Sequence, residues 1–391
     1  MENAITTLRI QNFKSIKDVE MKPRRVNIII GEPNVGKSNI LEAISLLGGM
    51  FFDGSKFMEG QIRYEAIRNL FYDNDWSQEI VVTGGGIGAT RIRKREEKAE
   101  VAFGDGEERR VAADPLGALS GALSAGIPGA AYKTAVAASE MLMGRPADGN
   151  AFVNFERRNH LQESINKDGS TTNTQVSSPQ PPVHVKKYAF QKQVAHGKSY
   201  NNAFLRPPFG ENLMEVIQSG TSAFRKELAA FFAPAGLNLA LRSEEQKLEI
   251  QKNADGVISS IPYSLIADTL QRLIFYLAAI ESNSDSVLLF EEPEAHSHPE
   301  YVAQLARRII KSKNNQFFVA THSPYLITEI LEEMLRNKKL TPELALFVTY
   351  YEDYQTKIRQ LDEDEVRAIR ADDLDVFYNM ARFVPGPDTS F

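Results

Sequence analysis

The sequence predicts an α/β fold with a mixed sheet, largely parallel at its core, and an antiparallel β-region at the N-terminal end. Three observations predict it. Short continuous apolar runs recur at 26–30, 287–290 and 317–320, the pattern of strands buried on both faces. Segments with apolar residues at helical spacing follow them, so strand and helix alternate. The first run leads into Gly31-Glu32-Pro33-Asn34-Val35-Gly36-Lys37-Ser38, which reads G-x-x-x-x-G-K-S between a strand and a helix.

Taken in order, Ile5–Phe13, Ile16–Met21 and Val26–Ile30 read as strands. Ser38–Leu47 reads as a helix with Ile40, Leu41, Ile44 and Leu47 on one face. A mixed region extends to about residue 82 and ends in the cluster Gly84-Gly85-Gly86-Ile87-Gly88. Thr90–Arg95 alternates and reads as a strand with a basic face. Residues 112–149 are rich in Ala, Gly and Ser, and 165–183 read as a polar, Pro-containing linker. From Ile261 to about Leu335 the pattern is helix, strand, helix, strand, helix. Ala345–Tyr351 and Lys357–Leu361 read as strands and Asp375–Phe383 as a short helix. The chain thus divides into 1–90, the first part of a head carrying the Gly-rich loop; 91–184, an insertion or lid expected to be partly disordered; and 185–391, the second part of the head.

Bulk properties narrow the function classes. The 391 residues are 42% apolar and 25% charged, ordinary for a globular protein. No apolar run reaches about eighteen residues and no basic-then-apolar leader opens the chain, so a membrane span and a secretion signal are not expected. The absence of cysteine excludes disulfides and thiolate-bound zinc. A cytoplasmic protein is expected. A net charge of −6 argues against coating nucleic acid with the whole surface. A local basic face formed by Arg91, Arg93 and Arg95, with Lys94 and Lys98 near, is a candidate for DNA phosphates. The competing reading is a salt-bridged hairpin with Glu96, Glu97 and Glu100.

The candidate site is built from three segments. Gly31 and Gly36 let the loop curl so that backbone N–H groups face one anion at a helix N-terminus. Lys37 supplies a point charge for the β- and γ-phosphates of a nucleotide, and Ser38 a hydroxyl for Mg²⁺. Ser286–Phe290 ends in Glu291-Glu292-Pro293-Glu294, two carboxylates at the C-terminal end of a buried strand. There Glu291 is placed to hold hydrated Mg²⁺ and Glu292 to orient or deprotonate an attacking water. The alternative is an acidic helix start, since Pro293 suits a first helical turn. Gln316–Ala320 ends in Thr321-His322-Ser323-Pro324, and His322 at that strand end is placed to hydrogen-bond a γ-phosphate. A lone histidine is otherwise usually structural. His296 and His298, two apart beside glutamates, lack a third zinc ligand. The acidic tail runs Asp362–Glu365 and Asp372-Asp373-Leu374-Asp375 read as a solvated or partner-facing surface rather than a nuclease metal site.

Loop, carboxylate strand and histidine, in that order, resemble the ABC-type ATPases. The run Leu8-Arg9-Ile10-Gln11-Asn12-Phe13-Lys14-Ser15-Ile16 and the run Lys37–Ile44 are similar to the RecF/SMC branch. Glu291–Pro299 and Thr321–Pro324 are similar to the prokaryotic AAA-annotated ATPases that include the OLD nucleases. The resemblance covers roughly 4–90 and 185–350. The residues beyond His322 are too few for the Toprim nuclease domain of OLD proteins, and without heptads long SMC-type arms are not expected. The resemblance implies an ABC-type P-loop ATPase head that uses ATP and Mg²⁺. Two such heads would form a homodimer with ATP between them, each site combining one subunit's loop with the other's signature segment. It implies nucleotide contacts from Lys14, Ser15, Asn39 and the loop residues Gly31, Glu32, Pro33, Asn34, Val35, Gly36, Lys37 and Ser38. The signature place is taken by Ala267-Asp268-Thr269, which lacks the family's glycine. Glu291 stands where the family more often has Asp, and Gln61 and Gln78 both compete for the glutamine-loop role. The expected function is an ATPase in anti-phage defence or DNA maintenance, acting with a separate effector, a nuclease or toxin. The alternative is a nucleotide-gated scaffold of very slow turnover that sequesters a partner. A transporter subunit is disfavoured by Asn12–Ser15 and by the glycine-less signature.

Overall fold

The computed structural model describes residues 1–48, 56–95, 98–104, 159–176, 184–192, 203–242, 247–371 and 376–384. The central sheet contains β3 (Val26–Gly31), β9 (Val185–Tyr188), β13 (Ser286–Glu291), β14 (Asn315–Ala320), β15 (Leu344–Glu352) and β16 (Gln355–Gln360). Its order is β16-β15-β3-β14-β13-β9. All neighbours are parallel except β16, which returns antiparallel on β15. Successive side chains alternate between two cores. Ile28, Ile30, Leu288, Phe290, Phe317 and Val319 face one core, and Ile29, Val287, Leu289, Phe318 and Ala320 face the other. That two-sided burial is why these strands read as unbroken apolar runs.

The first core is covered by α4 (Asp268–Ser282), α5 (Pro299–Lys311) and α6 (Pro324–Arg336), with α2 (Leu213–Ser219) and α3 (Ser222–Ala230) beside them. The second is covered by α1 (Lys37–Ser45) and by an antiparallel sheet. That sheet has the order β2-β1-β4-β5-β6-β7-β8. Its strands are β1 (Leu8–Phe13), β2 (Ile16–Met21), β4 (Ile80–Gly84), β5 (Gly88–Arg95), β6 (Lys98–Gly104), β7 (Asn159–Ile165) and β8 (Thr171–Val176). A third sheet, β10 (Leu237–Arg242), β11 (Lys247–Ala254) and β12 (Val257–Pro262), precedes α4.

The structure thus bears out α/β with a largely parallel core and an antiparallel N-terminal region. It differs from the sequence reading in two places. Thr171–Val176, within the stretch expected as a linker, pairs with β7 as an edge strand; an edge strand needs a partner on one side only, so its polar sequence carries no apolar run. The tail helix is α7 (Glu363–Ala371), not Asp375–Phe383, where a short 3₁₀ turn, Met380–Arg382, lies instead. Helix α7 starts in a reciprocal cap: Glu365 N–H donates to Asp362 Oδ1 at 2.8 Å and Asp362 N–H to Glu365 Oε2 at 3.0 Å. Val366 and Ile369 bury its inner face. Residues 105–158, most of the expected insertion, lie outside the described residues.

Strand β9 carries two adjacent lysines, one on each face of the sheet. Lys186 is 3% exposed. It donates to Asn283 Oδ1 at 2.7 Å and Ser286 Oγ at 3.0 Å and lies 4.1 Å from the Phe204 ring centroid. Burial lowers its pKa from 10.5 to about 8. The unfolded chain therefore binds the extra proton between these values. Stability tied to Lys186 is full above pH 10.5 and is lost as pH falls to about 8. Urea unfolding of wild type and Lys186→Met at pH 7.5 and pH 10.5 measures this. Wild type should gain up to about 3 kcal/mol relative to the variant at the higher pH; a pH-independent difference would contradict the assignment.

Candidate functional site

Three adjacent strands, in the order β3, β14, β13, end at the same edge of the sheet because they are parallel. From that edge β3 releases Gly31–Ser38 into α1, β13 ends in Glu291-Glu292, and β14 ends before Thr321-His322. The histidine strand therefore lies between the loop strand and the carboxylate strand, although it is the last of the three in sequence.

Gly36 begins α1 with φ of 99°, a conformation costly for residues with a Cβ. A Cβ there would also overlap Thr356 Oγ1 and crowd Ser15 Oγ. Thr356, on β16, is fully buried. Its hydroxyl donates to the Val35 carbonyl at 2.9 Å, and its N–H donates to the Ser15 carbonyl at 2.7 Å. Ser15 Oγ lies 2.6 Å from Thr356 Oγ1 and accepts from Asn39 Nδ2 at 2.7 Å. So Ser15, Val35, Gly36 and Asn39 are joined through a residue sequence reasoning did not select. Glu32, Pro33 and Asn34 form the loop's exposed crown. Lys37 folds back beneath it, donating to the carbonyls of Gly31 at 2.9 Å and Glu32 at 2.6 Å. Burial lowers its pKa to about 8 against the opposing pull of Glu292, Glu291 and Glu32.

The Ser38 hydroxyl is one of the groups that favour the ionised form of the Glu291 carboxylate. The carboxylate lies 3.2 Å from Lys187 Nζ and 3.3 Å from Arg63 Nη2. Burial pushes its pKa up, but Lys187, Ser38 and Arg63 together hold it below the ordinary value. Behind it is Glu42, 0% exposed, four residues after Ser38 on the same face of α1. Glu42 pairs with Lys14, with Arg63 Nε at 2.8 Å and with Lys187 at 4.0 Å. Lys14, expected at the nucleotide, also donates to the Arg63 carbonyl at 2.5 Å. Sequence reasoning missed Glu42, Arg63 and Lys187. Only the Ser38/Glu42 spacing and the two consecutive lysines in an apolar strand hinted at them.

Glu292 has φ of 44°, a left-handed conformation that costs a non-glycine residue about 1–2 kcal/mol. Its N–H donates to the Ala320 carbonyl at 2.8 Å, tying the turn to β14. The half-exposed Glu292 carboxylate lies 3.6 Å from His322 Nε2. Burial and Lys37 lower the His322 pKa against Glu292, so the imidazole is biased toward neutral. Glu294, also missed, is 8% exposed and accepts from the Thr321 hydroxyl and, at 3.3 Å, from His322 N–H. Burial raises its pKa, and its second oxygen is buried without a hydrogen-bond partner.

Other selected residues sit elsewhere. Ala267 precedes α4, and Asp268, in its first turn, pairs with Lys192 at 2.7 Å. Gln61 is buried and its carbonyl accepts from Lys187 at 2.9 Å, whereas Gln78 is exposed. His298 caps α5, its Nδ1 accepting from Glu300 N–H at 3.4 Å. Among the described residues no cluster of three or more His, Cys, Asp or Glu side chains suited to a metal occurs. Arg91 pairs with Glu79 at 3.0 Å, and Lys94 Nζ lies 4.7 Å from the Trp76 ring centroid. No helix of the described residues is long and apolar enough to cross a membrane.

This geometry can bind a polyphosphate through loop N–H groups and Lys37, and present oxygen ligands from Ser38 and Glu291. Glu292 and His322 stand together at the same sheet edge. Comparison with known proteins gives the same class. Residues 4–100 match the family described as "AAA ATPase domain", and residues 213–328 match the one described as "AAA domain, putative AbiEii toxin, Type IV TA system". An "ATP/GTP phosphatase" of Helicobacter pylori (strain ATCC 700392 / 26695) is 21% identical over 374 residues, 89% of this chain and 93% of that protein. Among solved structures, an SMC head bound to the C-winged helix domain of ScpA shares 14% identity, covering 94% of this chain and 100% of that one, with a TM-score of 0.46. The SMC head domain from Thermotoga maritima shares 13%, covering 92% of this chain and 99% of that one, with a TM-score of 0.37. The family matches over residues 4–100 and 213–328 support an ATPase of AAA type.

Removing the Glu42 carboxylate leaves Lys14 and Lys187 buried beside Arg63 without their shared anion. Glu42→Ala should lower the unfolding free energy by about 3 kcal/mol, read by urea denaturation. An unchanged midpoint would show that the cluster does not support the fold.

Proposed function

We propose that this chain is a Mg²⁺-dependent ATPase whose turnover is governed by ATP-controlled pairing of two heads. It acts in anti-phage defence or DNA maintenance with a separate nuclease or toxin effector. The observation that carries the reading is the convergence at one sheet edge of Lys37 and Ser38, Glu291 and Glu292, and His322. The donor set fits a hard divalent cation: a hydroxyl and a carboxylate, the carboxylate held ionised. Ser38 and Glu291 would hold Mg²⁺, which supplies charge stabilisation to phosphate oxygens when bound. Lys37 binds the β- and γ-phosphates, and the loop N–H groups fix their orientation. Glu292 orients and deprotonates the attacking water, and His322, biased toward its neutral form, donates to the γ-phosphate. The family description over 213–328 names a putative toxin of a Type IV TA system, which supports a place in defence.

Pairing of heads would bring the partner subunit's Ala267-Asp268-Thr269 segment to the γ-phosphate. A carboxylate in the first turn of α4 repels an approaching phosphate. The Asp268–Lys192 pair offsets part of that charge. This favours, as a second reading, slow turnover in a nucleotide-gated scaffold that holds a partner protein. Turnover measured with and without DNA separates the two, since strong stimulation supports the first.

Glu292→Gln keeps the size of the side chain and removes the base. It should lower kcat by roughly 10²–10⁴-fold, retain ATP, and sediment as a dimer when ATP is present. Hydrolysis at the wild-type rate would exclude Glu292 as the base, and an ATP-saturated monomer would exclude pairing.

A further inference from the structure

Residues Val376–Val384 belong to no motif, yet they reach the site. Val376, Met380 and Phe383 are buried in the same core as β14 and α6. Arg359 of β16 donates to the Phe383 carbonyl at 3.0 Å. Held by these anchors, Phe377 sets its ring beside the His322 imidazole, with centroids 6.0 Å apart and planes inclined by 31°.

We propose that Phe377 is a positioning residue for His322, so that the C-terminal segment forms one wall of the ATP site. The inference rests on the reading that His322 meets the γ-phosphate. His322 is a partly exposed side chain with two rotatable bonds. Its backbone N–H is fixed by Glu294 and its Nε2 faces Glu292, but neither contact fixes the plane of the ring. A tilted aromatic ring at this distance shields one side of the imidazole and removes the rotamers that would occupy the same space. Among the described residues, the charged and titratable groups facing His322 are Lys37 from the loop and Glu292 and Glu294 from the turn after β13. Phe377 adds no charge. Its removal therefore alters His322 through burial and orientation alone, and burial is the main force lowering the His322 pKa.

The test uses the full chain and compares wild type, Phe377→Ala, Phe377→Tyr and His322→Ala. Phe377→Ala should lower kcat by about ten- to a hundredfold while KM for ATP stays within about twofold. The His322 titration followed by NMR should move to higher pH. Phe377→Tyr, which keeps the ring, should restore both, and Phe377→Ala should add little to His322→Ala. If His322→Ala is inactive but Phe377→Ala keeps wild-type kcat and an unchanged His322 titration, this inference falls and the ATPase reading stands. If His322→Ala itself turns over at the wild-type rate, the γ-phosphate reading falls. Should Phe377→Ala fail to fold, Phe377→Leu fills the space without a flat face and must lower kcat while Phe377→Tyr keeps it, or the proposal is wrong.

Discussion

The arrangement of the site depends on one fully buried carboxylate, Glu42. An isolated carboxylate in that position would cost several kcal/mol. It is kept there by cations from three separate parts of the chain: Lys14 from the β1–β2 turn, Arg63 from the segment after α1, and Lys187 from β9. Because Glu42 is one turn from Ser38, this cluster fixes the roll of α1 about its axis. The roll in turn decides where Ser38 points relative to β13. Arg63 and Lys187 extend the same cluster to Glu291. The phosphate loop, the carboxylate strand and the antiparallel sheet are thereby one electrostatic unit, not three pieces that happen to meet.

Three glutamates within four residues are given three environments. Glu291 is held ionised by cations and a hydroxyl, Glu292 faces solvent and His322 on a left-handed backbone, and Glu294 is buried and pushed toward its protonated form. One composition thus serves as ligand candidate, base candidate and structural hydrogen-bond partner. The unpartnered oxygen of Glu294 fits a neutral carboxyl better than an uncompensated buried charge.

The core strands were legible because burial on both faces removes alternation and leaves apolar runs, as at Ile28–Ile30 and Val287–Phe290. The loop was legible because its chemistry is local. Arg63, Lys187, Thr356 and Phe377 were not, because their roles arise from strand pairing and late packing. Lys187 meets the site only because β9 pairs with β13, setting Leu289 beside it. The acidic run at Asp362–Glu365 was read for its charge, although its Asp-x-x-Glu spacing before Val366 announces a helix. The polar strand Thr171–Val176 has an edge strand's composition, which a turn-rich linker shares.

Thr356 grips the carbonyl of Val35 across a separation of 321 residues. Strand β3 is likewise flanked by β14 and β15, both synthesised long after it. At roughly 5–20 residues per second of synthesis, the loop emerges from the ribosome tens of seconds before anything can hold it in shape. During that interval β3 is an apolar strand with two open edges, the kind of segment that self-associates or is claimed by a chaperone. Biosynthesis therefore meets a head that acquires its nucleotide pocket in one late closing event, and a ribosome stalled before β14 would release the motif without the site.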